Sequence, residues 1–372
     1  MTNLDISRVL LAGASVRAAA ESAHAAGYQV IAVDLFADSD TQDVATCEAI
    51  QNYPDDIASL IGKYQPDGVC ITGALENYPD LIQRIRCQTN LLAPPTPLLA
   101  KIREPKLLSS LLSQAGFHYP EIGQSSNSQV KRWLLKPYQS AAGHRIQFHQ
   151  PTEQVPDTHY FQEYIEGKSM GANFLIQSNQ AILLGTVEHI TSHDNFEFHG
   201  AIVSSVPPTV EHDLLRLGTL LNHLGLRGLL GVDFLLTNDN QITILEINPR
   251  YTASMELLEP RWQAPLLEYH IKAFTEHPFP IQATADACLD QLVHGKRIVY
   301  ANQSLHIDLH QLHAFQQVAA QSSAILSDIP QVGNTIETGH PVLTIRTSSK
   351  SLQQTQNDLA RITHQIQAAA RD

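Results

Sequence analysis

Two apolar runs that each carry an acidic residue, Gly231-Val-Asp-Phe-Leu-Leu236 and Ile242-Thr-Ile-Leu-Glu-Ile-Asn-Pro-Arg250, are separated by a few polar residues. So short a separation between two strand-like runs demands an antiparallel hairpin. Read with a two-residue loop at Asp239-Asn240, the ladder sets Asn238 opposite Gln241 and, further out, Asp233 opposite Glu246. Directly opposed residues share a face, with Cβ atoms roughly 5 Å apart. Period-two alternation then places Asn248 and Arg250 on the face of Glu246 and turns Leu245 and Ile247 away. Two carboxylates held this way repel each other unless a cation lies between them, and oxygen donors from Asp, Glu and Asn suit Mg2+. The competing reading is a salt-bridged structural hairpin, for which Arg250 is the only basic residue in the segment.

The first part of the chain reads as a βαβ unit. Arg8-Val-Leu-Leu-Ala-Gly13 is a buried strand, Ser15 to Ala26 an Ala-rich helix closed by Gly27, and Gln29 to Asp34 a second strand. Gly68 to Gly73 is a further parallel strand, and the prolines of Ala93-Pro-Pro-Thr-Pro97 mark a linker. Helices then alternate with antiparallel strands to about Pro278: a helix from Lys106 to Ala115, strands at Trp133 to Lys136, Tyr160 to Ile165, Met170 to Gln177, Ala181 to Ile190 and Phe196 to Ser204, and a helix from Glu211 to Leu224. A smaller module with a polar terminal helix follows. The expected units are therefore 1–95, 96–278 and 279–372, a doubly wound α/β domain, a mixed α+β domain and a small β-rich module.

Composition excludes several classes. At 43% hydrophobic and 16% charged residues the chain is globular, and a net charge of −13 opposes nucleic acid or an anionic membrane surface. Four cysteines without paired spacing suggest reduced thiols, and no apolar run is long enough to span a bilayer. A cytoplasmic protein is expected, without nucleic-acid or membrane partners. His189, His193 and His199 lack the helical spacing of a metal motif and read as solvated or substrate-facing.

At the hairpin the chain resembles the ATP-grasp superfamily, in which an acidic residue on one strand precedes Glu-x-Asn-x-Arg on the next. By that resemblance Asp233 and Glu246 hold one or two Mg2+ ions, which Mn2+ can replace, Asn248 completes the set and Arg250 stabilises the acyl phosphate. Lys136 matches the strand lysine on the ATP phosphates, and Lys106 an earlier phosphate lysine. Ser140-Ala-Ala-Gly143 matches the small-residue loop over the phosphates, within a mobile lid of about 118–158. Gln162 to Gly167 resembles the adenine hinge, with Glu163 accepting from the exocyclic amine and Tyr164 and Ile165 supplying backbone groups. Relatives grip the ribose with a Glu where this chain has Ser169, which leaves Glu166 or Ser169 for that task.

The resemblance implies a ligase, joining a small-molecule carboxylate to an amine or thiol through an acyl phosphate. Glu246 to Ser254 is similar to biotin carboxylase-related carboligases of microbes that use methanopterin-type one-carbon cofactors, which points to an amino-acid or glutamate ligase. The alternatives are a bicarbonate-activating carboxylase and a non-catalytic nucleotide-binding protein. Arg17 and Glu76, near strand ends of the first domain, are candidate substrate contacts. A homodimer is compatible with all of these readings.

Overall fold

The run Arg8–Ala12 forms strand β1, and its residues Val9 to Ala12 are wholly buried, as a parallel strand covered on both faces requires. The computed structural model describes residues 5–73, 75–123, 132–149, 156–177, 180–192, 196–275 and 292–371. With β1 go β2 (Gln29–Asp34), β3 (Thr46–Ala49), β4 (Gly68–Ile71) and β5 (Asn90–Leu91), in the order β3-β2-β1-β4-β5. All four pairings are parallel. Strand order reverses between β1 and β4, and a crevice at the carboxyl ends of the strands follows from that reversal. The helix Arg17–Ala25 follows β1, and Gly27, with φ +89°, closes it: the Gly27 amide donates to the His24 carbonyl and the Tyr28 amide to that of Ala23.

A second, antiparallel sheet joins β6 (Ile122–Gly123), β7 (Trp133–Pro137), β8 (Gln147–Phe148) and β9 (His159–Glu163) in the order β6-β9-β7-β8. Trp133, Leu135 and Phe161 form its own small apolar cluster. Of the expected lid, residues 124–131 and 150–155 lie outside the described residues.

The largest sheet contains β10 (Lys168–Gln177), β11 (Gln180–Thr191), β12 (Phe198–Val203), β13 (Gly228–Leu236), β14 (Ile242–Asn248) and β15 (Val293–Tyr300). Beyond β16 (Leu305–His306), it gains β17 (Ile325–Ser327) and, after β18 (Thr335–Ile336), β19 (Pro341–Ser349). Its order is β14-β13-β10-β11-β12-β15-β19-β17. Strands β15, β19 and β17 thus extend the central sheet beyond β12, whereas β16 and β18 pair with each other as a separate two-stranded sheet. Ile202 on β12 packs with Val299, Phe315, Leu343 and Leu359, so this end shares core as well as hydrogen bonds.

Another apolar cluster runs from Leu10, Val33 and Ile71 of the first sheet through Leu108 and Leu112 of the helix Pro105–Gln114 to Phe174, Val232 and Phe234 of the central sheet. His270 ties the same two layers: one ring nitrogen accepts from the Leu229 amide at 2.9 Å and the other lies 2.9 Å from the Leu92 carbonyl. Burial pushes this imidazole down to about 4, so it is neutral in the core. Among the described residues no helix is long and apolar enough to cross a membrane.

Candidate active site

Strands β13 and β14 set Asp233 opposite Glu246 and Gly231 opposite Asn248. The route to that register differs from the expected one. The turn holds three residues, 238–240, between Thr237 and Gln241, with Asn240 left-handed at φ +60°. This moves the pairing near the turn by one residue, to Leu236 opposite Ile242 and Phe234 opposite Ile244, and a bulge at Leu245 moves it back before Glu246. A bulge also interrupts alternation. Leu245 therefore lines the same cavity as Glu246 instead of turning away, while Ile247 is buried in the core.

That cavity, about 680 Å³, lies where the first sheet, the β6-β9 sheet and the central sheet meet. Asp233 and Glu246 keep about a third of their side-chain surface open to it, 34% and 39%. The Asn248 side-chain amide donates to Asp233 at 3.1 Å and to Glu246 at 2.9 Å, while its oxygen accepts from Arg250 at 3.3 Å. Asn248 thus turns its N–H groups, not the expected oxygen, toward the carboxylates, because two acceptors draw the nearest donor. Burial and then the Glu246 charge push Asp233 above its ordinary range. Burial pushes Glu246 the same way, but Arg103 and Lys136 outweigh it and hold Glu246 ionised below its ordinary value.

Arg250 is aimed by a residue from the far layer: its Nε donates to Glu76 at 3.0 Å. Glu76 has no exposed side-chain surface and does not line the cavity, so it positions Arg250 and is not placed to touch a substrate. Arg17 is a second correction. It does border the cavity, but its guanidinium is bonded to Glu256 at 2.6 and 3.0 Å and to Asp328 at 3.0 Å, which commits its donors inside the protein. Lys106 is a third. It is exposed and away from the cavity, because the helix beginning at Pro105 turns it outward. The cation in that region is Arg103, the last residue of the helix Thr96–Arg103, whose Nη1 lies 3.6 Å from Glu246 and whose Nε donates to Asn77 at 2.8 Å. Sequence reasoning missed it, although its place directly before the Glu104-Pro105 break, beside the buried Leu99 and Ile102, was a usable sign.

Lys136 lines the cavity and donates to Gln162 at 2.9 Å. Ser140 and Gly143 line it too. Their loop is held by Asn77, whose side chain donates to the Ser140 carbonyl at 3.0 Å. Gly143 has φ +77°, and a Cβ there would lie 2.1 Å from the Phe196 carbonyl oxygen, so no other residue fits. Glu163, Tyr164, Ile165 and Ser169 reach the cavity, Ser169 also contacting His189 at 3.2 Å. Glu166 does not: it is 85% exposed, with Arg132 at 3.9 Å. His189 sits 3.9 Å from Asp233 and burial pushes it down to about 4. His199 stacks on Tyr300, and His193 lies outside the described residues. Among the described residues no three His, Cys, Asp or Glu side chains cluster as a metal cage.

A cleft of this shape, with opposed carboxylates facing Arg103, Lys136 and Arg250, invites comparison with known proteins. A family model described as an ATP-grasp domain matches residues 106–254. The chain carries an ATP-grasp domain. Over its full length it has the ATP-grasp fold, with a TM-score of 0.72 to an ADP complex of N5-carboxyaminoimidazole ribonucleotide synthetase, at 16% identity with both chains fully covered. Biotin carboxylase from Campylobacter jejuni, as a β,γ-ATP complex, gives 0.75 at 10% identity, covering 100% of this chain and 96% of that one. An L-amino acid ligase from Bacillus licheniformis gives 0.72 at 13% identity, covering 96% and 97%. In sequence, an uncharacterized protein of Methanocaldococcus jannaschii is 23% identical over 251 residues, 63% of this chain and 57% of its own length.

The residues fit the expected groups. Asp233 and Glu246 offer the hard oxygens that Mg2+ takes while keeping positions for water and phosphate. Arg103, Lys136 and Arg250 would face a polyphosphate, and Leu134, Ile165, Leu235 and Leu245 offer an apolar wall that a flat base would fit.

Proposed function

We propose that the protein is a Mg2+- and ATP-dependent ligase that joins a carboxylate to an amine. The observation that carries this reading is the pair Asp233 and Glu246, opposed across β13 and β14 and facing Arg103, Lys136 and Arg250 in one cavity. When bound, Mg-ATP supplies a γ-phosphoryl group to the substrate carboxylate oxygen, so that phosphate rather than oxide leaves when the amine nitrogen bonds the carbonyl carbon. Asp233 and Glu246 hold the metal, with Asn248 beside them. Arg103 and Lys136 neutralise phosphate charge, and the backbone of 140–143 covers the phosphates. Glu163, Tyr164 and Ile165 take the adenine, and Ser169 is the ribose contact left once Glu166 points to solvent. Arg250, held by Glu76, stabilises the oxyanion formed at the carbonyl carbon.

The narrower assignment is an amino-acid or glutamate ligase in the synthesis of a methanopterin-type cofactor, supported by the segment from Glu246 to Ser254. The test is a screen of carboxylate and amine pairs for ADP release with Mg2+ or Mn2+, with mass detection of the joined product. Product formed from such a pair supports the ligase. ADP release on bicarbonate alone transfers the assignment to a carboxylase, and nucleotide binding without turnover under any pair removes the enzyme reading.

A further inference from the structure

The cavity extends past the metal hairpin to an inner end that the nucleotide reading leaves without a ligand. Asn173 and Lys296 line that end and are only 1% and 4% exposed. Asn173 accepts through Oδ1 from Thr252 at 2.9 Å and Ser254 at 3.3 Å, while its Nδ2 has no partner. A buried amide N–H2 without an acceptor costs free energy in the protein alone. The Lys296 ammonium has three protons and two partners, the Ala253 carbonyl at 3.0 Å and Glu256. Both unspent donors therefore abut one tripeptide, Thr252-Ala253-Ser254, which begins two residues after Arg250.

Nearby acceptors do not answer them. Glu256 is saturated by Arg17, Lys296 and Arg346. Position decides what the donors are for. Asn173 lies opposite Gly231 on β13, one strand spacing of roughly 4.8 Å from the hairpin and two residues along β10 from Gly171, the partner of Asp233. Neither donor is bonded to Asp233, Glu246, Asn248 or Arg250, so the pair stands beside the reacting centre, where a carboxylate that only anchors a substrate would be held. The same end contains Asp328, whose backbone is left-handed at φ +53°. Burial pushes the Asp328 carboxyl up, but Arg17 and Lys296 outweigh it and keep it ionised. A second free carboxylate beside Asp328 would be repelled, whereas a ligand carrying an ammonium as well as a carboxylate is matched.

Building on the ligase reading, we infer that Asn173 and Lys296 form a carboxylate-binding subsite and that the amine substrate is an amino acid anchored there by its own α-carboxylate.

The test uses the full chain with Mg2+ and a non-hydrolysable ATP analogue, titrated calorimetrically with each of the twenty amino acids and then with the α-carboxamide of the tightest binder. The carboxamide should bind about 10- to 100-fold more weakly, the value of a hydrogen-bonded charge. Asn173→Leu should weaken the amino acid by a similar factor and leave the carboxamide and the nucleotide analogue unchanged. Lys296→Arg, which keeps the charge beside Glu256, should lose affinity for the amino acid without a fall in Tm. Nucleotide binding without affinity for any amino acid overturns the inference, as does a carboxamide that binds equally well or an Asn173→Leu variant that binds normally. The two readings fail separately. ADP release with amines lacking any carboxylate sinks the subsite and leaves the ligase, whereas Asn173-dependent amino-acid binding with no ADP release under any pair does the reverse.

Discussion

Two groups of charge, one at the hairpin and one around Glu256 behind the cavity-lining Arg17 and Lys296, are built on opposite rules. Buried Glu256 receives Arg17 through two bonds, Lys296, and Arg346 at 3.0 Å, and burial notwithstanding these cations hold it far below its ordinary range. At the hairpin, Asp233 and Glu246 share one neutral amide, and the nearest cation to Glu246, Arg103, stands at 3.6 Å. A saturated ion cluster fixes neighbouring elements, here the first helix, β15 and β19. An unsaturated pair open to a cleft is instead prepared for a ligand's charge.

Substitutions in the two groups should therefore fail in different ways. The largest effect belongs to Glu246→Gln, which should lower ADP formation by about 10³-fold or more in a coupled assay. The same variant should lower the Tm only slightly, because the attraction to Arg103 and Lys136 that is lost is partly offset by removing one of two facing carboxylates. Glu256→Gln should do the converse and destabilise the fold by about 3–5 kcal/mol in a urea melt, since it strands three cations in the interior. A stable Glu256→Gln protein would erase the distinction between the two groups.

Smaller effects sharpen it. Arg103→Met should raise the KM for ATP by about 10- to 100-fold, and Lys106→Met by less than about twofold. Equal effects would return the phosphate role to Lys106. The smallest is a pH effect at Asp38, where burial first and then Asp328, Asp34 and Asp40 push the carboxyl up to about 8. A carboxyl raised in the folded state stabilises while protonated. That contribution is complete below its ordinary value near 4 and is lost as pH rises through about 8. Asp38→Asn should thus leave the Tm unchanged near pH 4 and raise it by roughly 2–4 °C near pH 8.5.

The hairpin was legible in the sequence for a reason that outlasts an error. The pairing of Asp233 with Glu246 follows from counting back from either a two-residue or a three-residue turn, provided the longer one is compensated, and the bulge at Leu245 compensates it. Alternation within Ile242-Thr243-Ile244-Leu245 carries no sign of a bulge, so Leu245 could not be placed. Arg17 and Glu76 were illegible for another reason. Both were assigned by nearness to strand ends, yet their partners lie 239 and 174 positions away in the chain. Long-range ion pairs of that kind leave no local pattern. The membership of β15 and β19 in the central sheet was equally hidden, since this end reads as a small module of its own and the pairing of β15 with β12 is a purely tertiary event.

The irregularity at Leu245 also works as an expansion joint. Because the ladder changes register between Phe234 and Asp233, residues added to or lost from the turn at 238–240 can be absorbed by that one step before they reach the catalytic pair. The tip of the hairpin is thereby free to drift over evolutionary time in length and composition, while the spacing of the two carboxylates stays fixed.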